Sequence, residues 1–160
     1  MVALDVPTVM TTGEMRLAAH VGCERRIAHI ARKSKDKRLA PPDYWGNEIE
    51  GAGAELETAK FFDRFWCGVN GPDLAGDVGP YHVRSTRNLG GCLSLHKTDP
   101  DEAPFICVVG AMPDLRIVGW AFAHEGKQER YWRTDIPAPC YLVPQRVLRP
   151  MAELPRVWPF

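Results

Sequence analysis

The spacing of apolar residues changes once along this chain, and that change constrains the fold more than any other feature. Before Cys67-Gly68-Val69-Asn70-Gly71-Pro72 the apolar residues recur every three or four positions. After it they alternate, or run together in short stretches. The first spacing gathers side chains on one face of a helix, the second on one face of a strand. Helices first and strands afterwards imply an α+β fold, with a mixed, largely antiparallel sheet packed on helices.

In the helical part, Thr11-Thr12-Gly13-Glu14 has the pattern of a capping box, with Thr11 as N-cap and Glu14 three residues on. It predicts a helix over about 13–33, with Met15, Leu17, Ala18, Val21, Ile27 and Ile30 as its apolar stripe. Pro41-Pro42 ends a basic linker. A second helix follows over about 46–65, facing the core with Ile49, Ala52, Leu56, Ala59 and Phe62. Gly51 and Gly53 weaken that helix by roughly 1 kcal/mol each relative to alanine. Two glycines in one turn suggest a closely packed neighbour, or a helix that starts later.

In the strand part, Gly79-Pro80 turns the chain back beside Asp77-Val78, and Tyr81–Thr86 alternates like a half-buried strand. Asn88-Leu89-Gly90-Gly91 reads as the next turn, with Cys92–His96 as the return strand of a hairpin. Phe105–Val109 is a continuous apolar strand and Leu115–Ala123 another, joined through Ala111-Met112-Pro113-Asp114. The run reads as an antiparallel meander. Beyond it, a helical turn near 128–132, a short strand at Tyr141–Val143 and a helix over 147–154 broken by Pro150 are expected. The 160 residues suit one domain: a basic N-terminal helix and linker (1–40), a core (45–123) and a C-terminal extension (124–160).

Net charge is zero, so a nucleic-acid partner is not announced by bulk charge. The distribution says more. Residues 25–38 carry seven bases (Arg25, Arg26, Arg32, Lys33, Lys35, Lys37, Arg38) and one acid, a net of +6. Residues 43–77 carry eight acids and two bases, a net of −6. A basic stretch beside an acidic one suits a protein that grips phosphates and holds a divalent cation. The five cysteines are scattered, with no C-x-x-C, which argues against a disulfide framework or a zinc ribbon. No apolar run is long enough to span a membrane, and Met1–Asp5 lacks the pattern of a signal peptide. A cytoplasmic location is therefore the expectation.

Glu55, Asp77, His82 and Arg84 form the constellation that could carry chemistry. Strand alternation puts His82, Arg84 and Thr86 on one face, and the turn returns Asp77 to them. Glu55 can join if its helix crosses the sheet. Phosphodiester cleavage needs an activated water and a stabilised leaving oxygen, and a hard divalent cation supplies both. Such a cation takes carboxylate oxygens, here Glu55 and Asp77, with Arg84 on the phosphate.

In this order the residues resemble the PD-(D/E)xK restriction-endonuclease-like superfamily. Ile49 to Lys60, then Asp77-Val78-Gly79 and Val83-Arg84-Ser85-Thr86, are similar to small uncharacterised phage and prophage proteins reading roughly G-A-x-G-E-x-A-x-A-K and D-V-G-x-x-E-V-R-x-T. Val118-Gly119-Trp120 and Tyr141-Leu142-Val143-Pro144 fit the same group. The resemblance covers scattered pieces from Trp45 to Leu154. It implies a restriction-endonuclease-like fold, Mg²⁺ or Mn²⁺ held by Glu55 and Asp77, and a phage-type DNA endonuclease or nickase in the host cytoplasm. His82 stands where the second carboxylate is expected, and Arg84 where the wider superfamily has lysine. Histidine is a poor Mg²⁺ ligand, and arginine cannot release a proton. No clear helix follows Cys92, where the superfamily commonly has one.

Two alternatives stand beside cleavage. The first is an inactive nuclease-fold protein that binds nucleic acid through Arg25, Arg26, Lys33, Lys35, Lys37, Arg38 and Arg87. The second is a phage structural or protein-interaction component, with the apolar tail Leu154–Phe160 as a docking element.

Overall fold

The computed structural model describes residues 6–32, 44–69 and 76–155. A short strand β1 (Val6–Val9) leads into helix α1 (Thr12–Ala31). The expected capping box is present: Thr11 Oγ1 accepts from the Glu14 N–H, and the Glu14 carboxylate accepts from the Thr11 N–H. Helix α2 runs Tyr44–Phe61. The two helices meet at Gly22, where an added Cβ would lie 2.5 Å from the Ile49 Cα. Only glycine allows the backbones to come that close. At Gly53 a Cβ would lie 2.5 Å from the Met112 Sδ, which belongs to a flexible side chain rather than to backbone. Around Gly51 there is open space, so a closely packed neighbour stands beside one of the two helix glycines.

The strand region forms two sheets rather than one meander. The larger has the order β1-β5-β4-β2, from β2 (His82–Thr86), β4 (Pro104–Ala111) and β5 (Asp114–Phe122). Its β1–β5 and β5–β4 pairs are antiparallel, whereas β2 runs parallel to β4 in the register His82 opposite Phe105 and Arg84 opposite Cys107. The smaller sheet is antiparallel, in the order β3 (Leu93–Leu95), β7 (Cys140–Val143), β6 (Trp132–Arg133). The class is therefore α+β with a mixed, mostly antiparallel sheet.

The expected hairpin return at Cys92–His96 is overturned: β3 pairs with β7, not with β2. Parallel neighbours need a crossover, and the chain makes it through the second sheet before returning as β4. The four-stranded sheet is thus covered on both sides. Val83, Ile106, Val108 and Ile117 face the helices with Ala18, Ala52 and Leu56. Phe105, Cys107, Val109 and Val118 face the small sheet with Leu93, Leu95 and Val143. Residues 124–155 contribute to both cores, since β7 completes the small sheet and Met151 and Leu154 join the helix-side core. The expected helix over 147–154 is two 3-10 turns, Gln145–Val147 and Met151–Glu153, separated by Pro150.

Candidate functional site

Asp77 is placed by a tight reversal. The N–H groups of Asp77 and Val78 donate to the Tyr81 carbonyl at 2.8 and 3.0 Å, and Tyr81 N–H donates back to Val78. Gly79 takes the left-handed conformation that the turn needs (φ +58°). Tyr81, fully buried, stacks on Phe62 and fixes the hairpin to α2. The Asp77 Oδ2 then accepts the Val83 N–H at 2.7 Å and lies 4.0 Å from His82 Nδ1. The expectation that the turn returns Asp77 to this strand matches the geometry.

Glu55 lies in the helix layer, almost fully buried. The Arg25 guanidinium donates to both of its oxygens, at 2.8 and 2.6 Å. Trp66 Nε1–H donates to Oε2 at 3.1 Å. Arg25 also donates from Nε and Nη2 to the Gly68 carbonyl. One arginine thereby ties α1 to α2 and to the segment after α2. Burial pushes the Glu55 carboxyl above its usual range, and the Arg25 fork only partly offsets this. The nearby negative charge of Asp77 adds to the rise.

His82 and Arg84 share a face, as alternation requires, but it is the face turned away from α2. His82 stacks on Phe105, with ring centroids 4.6 Å apart. The Arg84 guanidinium sits 5.0 Å from the same ring centroid and donates to Asp99 Oδ1 at 3.0 Å. Asp99 is oriented in turn by the His96 N–H on its other oxygen. β2 therefore stands between Glu55 on the helix side and His82 and Arg84 on the other, with Asp77 held at the Val83 N–H.

A cleft of about 640 Å³ along β2 takes in three of the four. Glu55, Asp77, Val83, Arg84, Ser85 and Arg87 line it, with Glu48 and Glu50 on the α2 side. His82 does not. Of the expected nucleic-acid contacts, Arg25 is engaged with Glu55, Arg26 lies over the Tyr44 ring at 4.5 Å, and Arg87 lines the cleft. Lys33, Lys35, Lys37 and Arg38 lie outside the described residues, as does the tail past Pro155. Sequence reasoning missed Asp99, which sits in a loop without periodic signal. It also missed Trp66, whose indole N–H holds the buried Glu55 carboxylate.

The donor set does not fit Mg²⁺ or Mn²⁺ in this arrangement. Such an ion needs several oxygens free to turn toward it. Both Glu55 oxygens accept from Arg25 or Trp66, and one Asp77 oxygen accepts from Val83. Among the described residues no three of His, Cys, Asp and Glu gather at metal-binding spacing. Among the same residues no helix is long and apolar enough to cross a membrane. No protein-family model matches the chain, no curated protein is significantly similar to it, and no solved structure matches it significantly.

Proposed function

We propose that this protein is a binding module that takes an extended segment of a partner protein into the cleft beside β2. One observation carries the reading: among the described residues β2 is the last strand of its sheet, and its residues line the cleft. Successive residues of a strand direct their N–H and C=O to opposite edges, and every second residue to the same edge. Val83 N–H points to Asp77, away from β4. The Val83 carbonyl and both backbone groups of Ser85 therefore point the same way, into the cleft. An exposed sheet edge of this kind accepts an added strand through main-chain hydrogen bonds. Asp77 caps the first N–H of that edge and so marks where pairing begins, one of the ways proteins restrict open edges.

The test uses Ser85→Pro. Proline is tolerated in an edge strand where its missing N–H would face outward, so the β2–β4 ladder survives. Immobilised random peptides of about ten residues, a length suited to strand addition, are screened against both proteins. Peptides held by wild type and released by Ser85→Pro support the reading. A screen in which no peptide tells the two apart sinks it.

The second reading is the restriction-endonuclease-like one, a divalent-metal-dependent DNA endonuclease of phage type. Its favouring observation is that Glu55 and Asp77 face the same cleft. It requires the Arg25 fork to leave Glu55. Supercoiled plasmid with Mg²⁺ or Mn²⁺ tests it: nicking by wild type and not by Asp77→Ala is the expected result. Equal behaviour of the two removes this reading.

A further inference from the structure

The charges of the cleft say which segment would enter. Its lining carries five carboxylates and three arginines. Two arginines are already matched within the protein, Arg25 on Glu55 and Arg84 on Asp99. With those pairs set aside the carboxylates of Glu48, Glu50 and Asp77 remain, and the lining as a whole carries a net of −2 with histidine neutral. Two of these three carboxylates are held in position. Glu50 Oε2 accepts the Met112 N–H at 3.0 Å, and Asp77 Oδ2 accepts that of Val83. Glu48 faces His29 on α1, with Oε1 3.0 Å from Nδ1. Each keeps a second oxygen for a donor from outside, because a carboxylate can accept at both.

The carboxylates stand on the α2 side of the cleft and at the start of the β2 edge. A strand laid along Val83–Ser85 sends every second side chain toward that wall. An acidic side chain there meets like charge, and a neutral one gains nothing from it. A lysine or arginine meets opposite charge in a partly enclosed place, where screening is weaker than on open surface. A polyanionic nucleic-acid backbone is disfavoured by the same balance.

Resting on the edge-pairing reading above, we infer that the cleft selects a cationic extended segment, with lysine or arginine at alternate positions, recognised by Glu48, Glu50 and Asp77. The inference adds a charge rule to the main-chain pairing and can fail while pairing stands.

Three synthetic peptides of about ten residues separate the two, alternating threonine with lysine, with glutamine or with glutamate. Binding is read by fluorescence anisotropy on the full chain. The lysine peptide is expected to bind about tenfold or more tighter than the glutamine peptide at low salt, and the gap should narrow as salt rises. The glutamate peptide should not bind. In Glu48→Gln/Asp77→Asn the ratio of lysine-peptide to glutamine-peptide affinity should fall toward one, and a ratio that stays at its wild-type value overturns the charge rule. Thermal melting of the variant confirms that it is folded. Equal binding of the lysine and glutamine peptides to wild type overturns the charge rule and leaves edge pairing intact. Binding of none of the three removes both. A DNA oligonucleotide that displaces the lysine peptide from the cleft also overturns the inference, in favour of a nucleic-acid partner.

Discussion

The two faces of β2 each carry an arginine–carboxylate pair, and the pairs differ mainly in depth. On the helix side, the Arg25 and Glu55 side chains are 10% and 8% exposed. On the small-sheet side, Arg84 is 28% exposed against Asp99 at 10%. Geometry differs as well: Arg25 grips both oxygens of its glutamate, whereas Arg84 reaches one oxygen of its aspartate. The same chemistry thus does two jobs. The deep pair fastens α1, α2 and the Trp66–Gly68 segment together. The shallow pair joins β2 to the loop that carries Asp99.

The largest effect expected from this difference is on stability. Arg25→Ala leaves the Glu55 carboxylate buried with only Trp66 as donor. Breaking a buried pair in this way costs about 3–5 kcal/mol. Arg84→Ala removes a single charged hydrogen bond at a partly open site, at a cost of about 1–2 kcal/mol. Urea unfolding of both variants measures the contrast. Equal losses would mean that depth does not distinguish the pairs.

A smaller effect comes from the glycines. On the helix side, Gly22→Ala would force a methyl against the Ile49 backbone, which cannot swing aside as a side chain would. Overpacking of this kind costs about 1–3 kcal/mol. At the turn after β2, a Cβ at Gly90 would approach nothing nearer than Asn88 Oδ1 at 3.7 Å. Gly90→Ala should therefore leave the denaturation midpoint nearly unchanged. If Gly22→Ala were as harmless, the close approach of α1 and α2 would not be what sets the Arg25 fork in place.

The same contrast explains what the sequence could reveal. The capping box at Thr11–Glu14, both long helices and the Asp77 turn depend on neighbours a few residues apart, and they were legible. So was the sharing of a face by His82 and Arg84, which follows from strand alternation alone. Which sheet face α2 would cover was not legible, because alternation has no sign: Val83 and Arg84 lie on opposite faces, but nothing local says which one meets the helix. The destination of β3 was hidden for a similar reason. Leu93 and Leu95 bury one side of a strand equally well against β2 or against β7, and only the crossover to β4 decides between them. Within its own segment Arg25 suits a phosphate and Glu55 a metal. Their pairing spans thirty positions and leaves no periodic trace.

The smallest expected effect tests the deep pair from its other end. Burial raises the Glu55 carboxyl above its ordinary range, so the folded state holds that proton more tightly than the unfolded chain does. The stability linked to it is fully present below the ordinary carboxylate pKa and is lost as pH rises through the raised value. Glu55→Gln cannot titrate, and the other carboxylates are common to both proteins. The advantage of wild type over Glu55→Gln should therefore shrink as pH rises from acid through the carboxylate range, as urea unfolding at several pH values would read. An advantage that grows with pH would reverse the comparison. The Arg25 fork would then outweigh desolvation, and Glu55 would be a firmly held anion facing the same cleft as Asp77. The case for a polar centre able to act on a phosphodiester would strengthen at the expense of the binding cleft.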